Sequence, residues 1–205
     1  KSILSRVEGA LDLYQLEIRP ESLRNNLKKY EHKGFYYYNQ VFPKRNIGKL
    51  EALIQKHKKE QKIFEQKEII IENLLSVHPK IESLIFCELF SKIVQSIKTD
   101  FKLEKVIYQE TLEAFAEPFA QKEAKANLVI CLSPFEENFG GISLYPGSQK
   151  QLLSQENIDL LSQNNLATPI ESEKAGLMVF NAQLIHQFFK KQNRGKLRYI
   201  HIVLS

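Results

Sequence analysis

The sequence predicts an α+β fold: a double-stranded β-helix, or jelly roll, with N-terminal helices packed on it. Up to about residue 100, apolar residues recur mainly at helical spacing, while beyond Lys105 they come in short β-rich bursts. The bursts Ile142/Leu144, Leu177–Phe180, Leu184–Phe189 and Leu197–Leu204 are each punctuated by Gly, Pro, Asn or Lys, as strands joined by turns read. Helices followed by a run of strands give the α+β pattern. Seven or eight short strands with Gly/Pro turns suit a roll whose mouth holds a ligand.

Taken in order, Ser2 to about Leu16 sets Ile3, Val7, Leu11 and Tyr14 on one helical stripe. Pro20 opens a second short helix with Leu23, Leu27 and Tyr30 that Gly34 can stop. Phe35–Phe42 is the clearest N-terminal strand, closed by Pro43. Its tyrosines read better as two-sided packing under a helix than as a ligand platform. Helix returns from Gly48 to about Lys67, Glu68–Leu75 is ambiguous, and Pro79 opens one amphipathic helix through Ile97. Strands follow at Val106–Phe115, Asn127–Ser133 and Ile142–Tyr145, then a helix at Gln155–Gln163, a short strand at Pro169–Glu171 and the three last bursts. With no linker or repeat, residues 1–205 read as a single domain: 1–100 mainly helical with one strand, 101–205 the roll.

Composition excludes little. Hydrophobic content of 43% and charged content of 26% are ordinary globular values. The net charge of +5 is concentrated around Lys56-His57-Lys58-Lys59, which reads as a solvated helix face. No aromatic residues interleave with it, so nucleic acid is an unlikely partner. Cys87 and Cys131 sit in apolar runs and read as buried free thiols of a reducing cytoplasm. No apolar run approaches a membrane span of about 18 residues. The chain begins at Lys1 rather than Met, which leaves a removed leader or a trimmed start open.

The informative stretch runs from Phe139 to Ser205. It contains Gly140-Gly141-Ile142-Ser143-Leu144-Tyr145-Pro146-Gly147-Ser148-Gln149, then Gly176-Leu177-Met178-Val179-Phe180 leading to His186, and Arg198 about a dozen residues later. If the strands carrying His186 and Arg198 lie side by side, both side chains face one cavity. The glycines are turns rather than phosphate cradles, because no helix N-terminus follows at the required spacing. No Gly-x-Ser-x-Gly elbow or cysteine nucleophile motif is present.

These phrases resemble the phytanoyl-CoA dioxygenase family of iron(II)/2-oxoglutarate oxygenases, which has a Gly-Gly strand ending in Pro-Gly-Ser-His, a later Gly-Asp strand leading to the distal iron-ligand histidine, and then an arginine. The resemblance covers about Leu27 to the end, with Gln149 in place of the family's His. It implies a cupin-like roll, Fe(II) and 2-oxoglutarate as cofactors, His186 as metal ligand and Arg198 as the grip on the 2-oxoglutarate carboxylate. It also implies hydroxylation of a small-molecule substrate.

A non-haem iron site of this type needs two His and one carboxylate on one face. The family takes the first His and the carboxylate from a His-x-Asp triplet, whose i, i+2 spacing on a strand points both the same way. The five histidines are His32, His57, His78, His186 and His201, and none lies between His78 and His186, so His-x-Asp is missing. Two triplets could stand there. Gln121-Lys122-Glu123 precedes the strand Asn127–Ser133, the family's order of events, and is preferred; Tyr108-Gln109-Glu110 has the better length to the Pro-Gly-Ser turn. The expected metal set is therefore His186, Glu123 and Gln121. Each site residue also has an ordinary reading: His186 as a buried histidine bonded to a carbonyl, Arg198 as the partner of an acid, His201 as a surface or edge residue. Two functions follow: an Fe(II)/2-oxoglutarate oxygenase, or a degenerate jelly roll (a pseudoenzyme) kept for ligand binding or a structural role. Nucleic-acid modification guided by the helix around Lys58 is a third, weaker reading.

Overall fold

The computed structural model describes residues 33–39, 41–63, 66–97, 101–112, 124–150, 154–164, 166–191 and 195–205. The two helices expected within 1–32 and the triplet Gln121–Glu123 lie outside these residues. Chain order is β1 (Phe35–Tyr38), α1 (Lys44–Glu60), β2 (Glu68–Ile71), α2 (Leu74–Val77), α3 (Lys80–Ile85), α4 (Glu88–Ile97), β3 (Leu103–Thr111) and β4 (Ala126–Cys131). It continues with β5 (Gly140–Leu144), a 3₁₀ turn at Ser148–Lys150, α5 (Gln155–Gln163), β6 (Thr168–Ile170), β7 (Leu177–Asn181), β8 (His186–Lys190) and β9 (Leu197–Leu204).

Antiparallel pairing gives a six-stranded sheet, β1-β7-β4-β9-β3-β2, facing a three-stranded one, β6-β5-β8. This is the expected α+β jelly roll with helices on it. Strand alternation sorts the core into two layers. On β9, Leu197 and Tyr199 face the three-stranded sheet, joining Phe35, Tyr37, Val129, Cys131, Phe180 and Phe188. Ile200, Ile202 and Leu204 face the other way, onto Ile47, Leu50 and Ile54 of α1 and Ile81, Phe90 and Ile93 of α3 and α4. The β1 tyrosines pack on both sides, Tyr36 and Tyr38 toward the helices and Tyr37 toward the roll interior.

Four expectations about the elements change. Glu68–Ile71 is an edge strand paired with β3, so the N-terminal part contributes two strands among the described residues. The helix expected to start at Gly48 begins at Lys44, directly after Pro43, and stops at Glu60. The helix expected from Pro79 to Ile97 breaks into α3 and α4 around Phe86, which leaves helical geometry (φ −86°, ψ 53°) and sets its ring edge-on to Phe90 at 5.3 Å. The strands carrying His186 and Arg198 lie in different sheets rather than side by side. Among the described residues no helix is long and apolar enough to cross a membrane.

The Gly140-Gly141 pair opens β5. Gly140 has φ +154°, and a Cβ there would stand 2.7 Å from the Phe189 carbonyl oxygen, so close strand pairing requires glycine. Both cysteines are free thiols. Cys131 is fully buried, and burial pushes its thiol up to about 12, with a smaller opposing effect from Ser172. In native protein Cys131 is therefore expected to resist iodoacetamide while the partly exposed Cys87 is labelled, as peptide mass mapping would read. Equal labelling of both would contradict the buried position.

Candidate functional site

His186 opens β8 and is wholly buried in the roll interior. Its ring lies 4.7 Å from Phe180 and 6.2 Å from Phe188. Nδ1 lies 2.8 Å from the Leu184 carbonyl, which only accepts, so Nδ1 carries the proton and Nε2 is the acceptor nitrogen of a neutral imidazole. Burial holds the ring's pKa down at about 4, partly offset by the Leu184 bond. A backbone-oriented neutral histidine is the form in which imidazole ligates metals.

His201, expected at the surface or an edge, is instead buried on the interior face of β9. Its Nε2 donates to Asn127 Oδ1 at 2.9 Å, and its ring centroid stands 6.2 Å from that of Phe188. Burial and then the field of His186 hold its pKa down at about 3. Phe188 also stacks on Tyr199 at 4.5 Å with the planes 2° apart, filling the space between β8 and β9 with aromatic rings.

Arg198 faces the helices, with Ile200 and Ile202 on its side of the strand. Its Nη1 lies 3.2 Å from Glu51 Oε1 on α1, and Lys174 Nζ meets the other oxygen of Glu51 at 2.6 Å. It is paired across the ladder with Glu110, which is buried beneath α1. Glu110 Oε2 accepts from Lys58 Nζ at 2.8 Å and from the Tyr108 hydroxyl, and Oε1 accepts from Lys196 Nζ at 2.6 Å. Burial alone would raise the Glu110 carboxyl, but the bonds from Lys196, Lys58 and Tyr108 outweigh it and hold the pKa at about 2. Burial, and secondarily Glu110, push the Tyr108 phenol well above its usual range.

The structure thus does not bring Arg198 and His186 together. They lie on opposite faces of the six-stranded sheet, and the β9 histidine that faces the interior is His201. Tyr108 and Glu110, the second candidate triplet, also face the helices and cannot join His186; only Gln109 between them turns inward, where it accepts from the Tyr199 hydroxyl at 2.8 Å. Lys58, expected on a solvated face, is 7% exposed and committed to Glu110. Gln121 and Glu123 lie outside the described residues. Ala124, which follows them, packs with Ala182 and Val203 at the end of the roll where Phe180 meets His186.

The described residues fit iron and 2-oxoglutarate only in part. Among the described residues no three His, Cys, Asp or Glu side chains are arranged to hold a metal ion, and His186 supplies one donor. The carboxylate grip expected at Arg198 is turned away from the interior. At the opposite end, a cleft of about 520 Å³ is rimmed by Glu136, Glu137, Glu171 and Glu173, which disfavour an anionic co-substrate there.

No known family model matches the chain, and no curated protein matches it. Solved structures do. EvdMO1 superposes with a TM-score of 0.74 at 16% identity over 89% of this chain, and the chain spans only about half (50%) of the length of EvdMO1. SnoK, a non-heme alpha-ketoglutarate-dependent carbocyclase from nogalamycin biosynthesis, gives 0.71 at 12% identity over 91% of this chain and 86% of its own. HygX from Streptomyces hygroscopicus, with nickel and 2-oxoglutarate bound, gives 0.73 at 11% identity over 91% and 88%. At these identities the likeness establishes the fold alone: this chain has the jelly-roll fold that these structures share.

Proposed function

We propose that this chain is an oxygenase-like jelly roll that binds a small molecule in its interior without running the 2-oxoglutarate reaction. The observation that carries this reading is the commitment of Arg198 to Glu51 on the helix side of the sheet. A dicarboxylate drawn into the roll loses its hydration and needs a fixed cation in return. The residue that the phytanoyl-CoA dioxygenase resemblance assigns to that task instead faces Glu51 of α1, in an ion pair of 3.2 Å that lacks hydrogen-bond geometry.

A second reading, an active Fe(II)/2-oxoglutarate oxygenase, is supported by His186. Its Nδ1 bond to the Leu184 carbonyl fixes a neutral ring whose Nε2 is the nitrogen able to ligate a metal. In that reading His186, Glu123 and Gln121 hold the metal, and the bound iron and 2-oxoglutarate supply dioxygen activation for hydroxylation of the ligand. Calorimetric titration of 2-oxoglutarate into Mn(II)-loaded protein separates the two. The proposed function predicts no saturable 2-oxoglutarate binding that depends on Arg198. Micromolar binding that is lost in both Arg198→Ala and His186→Ala overturns it in favour of the oxygenase.

A further inference from the structure

β2 closes one end of the six-stranded sheet: it pairs with β3, and among the described residues no strand lies on its other side. One bond fixes the direction of its backbone groups. The Leu112 N–H donates to the Lys67 carbonyl at 2.8 Å, so Lys67 turns its backbone toward β3. In an antiparallel pair alternate residues do the same, so Ile69 and Ile71 complete that ladder. Glu68 and Ile70 therefore point their N–H and C=O groups out of the sheet. Alternation buries the side chains of Ile69 and Ile71 on the helix side and leaves Glu68 and Ile70 exposed on the other face, with Glu72 exposed directly after the strand.

Charges ordinarily keep such edges from pairing, and toward a second copy Glu68 and Glu72 do so. An antiparallel pairing of two copies centred on Ile70 would set Glu68 of each against Glu72 of the other. The guard does not account for the isoleucine between them. Ile70 is 49% exposed and Leu103 on β3 is 38% exposed, the two large apolar side chains that the described surface leaves in water. Both belong to this edge. Where β2 ends, a cleft of about 350 Å³ opens, lined by Leu75, Leu103 and Ile107 and by Glu72, Glu104 and Lys105.

We propose that the open edge of β2 accepts a strand from another protein: an extended basic segment with an apolar residue opposite Ile70, a Lys or Arg two positions to either side of it, and a further apolar residue that enters the cleft. The backbone of Glu68 and Ile70 supplies the hydrogen bonds, and the carboxylates of Glu68 and Glu72 select the charge. The two-residue repeat puts these partner side chains on one face.

The probe is a capped fluorescent peptide, SLTKTVTKTS, which in antiparallel pairing sets its valine opposite Ile70, its lysines toward Glu68 and Glu72, and its leucine toward the cleft. Titrated with the full chain, it is expected to bind saturably. Three changes are each expected to weaken binding at least about tenfold: methylating the valine nitrogen, which removes the N–H that meets the Ile70 carbonyl; replacing both peptide lysines with glutamate; and the double variant Glu68→Lys/Glu72→Lys. Both acids are exposed, so the variant is expected to melt with wild type. In hydrogen exchange the Ile70 amide of the free protein is expected to exchange faster than those of Ile69 and Ile71, and to slow when the peptide is added. No saturable binding overturns the inference. So does binding that N-methylation leaves unchanged, which charge attraction alone explains, and so does binding that survives the double charge reversal, which places the peptide elsewhere. A dimer in sedimentation that Ile70→Lys dissolves makes a second copy the occupant and overturns it as well.

Discussion

Replacing Glu110 with Ala is expected to cost about 3–5 kcal/mol of folding stability, the loss typical when one partner of a buried ion pair is removed. The substitution strands Lys58, whose side chain is 9% exposed, and leaves the Tyr108 hydroxyl without its acceptor. It also frees Lys196, which at 33% side-chain exposure can return to water at little cost. Because a domain of this kind is stable by only about 5–15 kcal/mol, the variant is expected to unfold at markedly lower urea concentration. The exposed pair Lys56–Glu60, 3.7 Å apart at 70% and 57% exposure, supplies the contrast: Glu60→Ala is expected to change stability by at most about 0.5 kcal/mol. If the two variants lost similar small amounts, Glu110 would not be holding α1 to the sheet.

Acid sensitivity well above the carboxylate range is the second large expected effect. His186 and His201 are buried and neutral, with folded pKa values held at about 4 and about 3, below the 6.5 of free histidine. Below pH 6.5 the unfolded chain takes up protons that the folded chain refuses, so unfolding becomes easier as pH falls. The stability these two groups confer is complete above about pH 6.5 and is lost progressively down to about pH 4 for His186 and about pH 3 for His201. At about 1.4 kcal/mol per pH unit, His186 alone accounts for a loss on the order of 3 kcal/mol. Glu110 adds its own loss only at lower pH, as pH falls from the ordinary carboxylate range through about 2. Urea titrations at pH 7.5, 6.0 and 5.0 read the slope directly. His186→Phe and His201→Phe are each expected to flatten it by roughly half, and an unchanged slope in both would show that the histidines titrate normally in the folded state.

Much of this architecture was legible in the residues. The spaced Gly/Pro turns point to the roll and the β1 tyrosines to two-sided packing, while Pro43, which reads as the end of a strand, stands at the N-terminus of α1, whose start was expected only at Gly48. The Gly140-Gly141 pair, which reads as a turn, instead opens strand β5 and pairs with Lys190 and Phe189. What the sequence could not reveal was which face of β9 looks inward. Leu197–Leu204 is buried on both faces, so its apolar pattern has no polar side to orient it, and a one-residue change of facing exchanges Arg198 for His201. Had the strand been half exposed, alternation would have shown Tyr199 and His201 sharing a face. The burial of Lys58 was hidden for a related reason: a lysine among lysines looks solvated until a carboxylate 52 positions away, Glu110, is found beneath it. The helix break at Phe86 left no Gly or Pro to signal it. The resemblance in the C-terminal phrases led to the right fold, while the carried-over pairing of His186 with Arg198 depended on a strand adjacency that the two-sheet topology does not provide.

The most direct test of the account is an anaerobic titration of metal-free protein with Fe(II) and 2-oxoglutarate, watched in the visible range for the charge-transfer band of a chelated 2-oxoglutarate–iron complex. If Arg198 holds the helix layer and not a co-substrate, wild type gives no such band and Arg198→Ala behaves the same, differing only in stability. A band in wild type that disappears in both His186→Ala and Arg198→Ala would contradict the account and make this chain a working oxygenase with an unusual metal site.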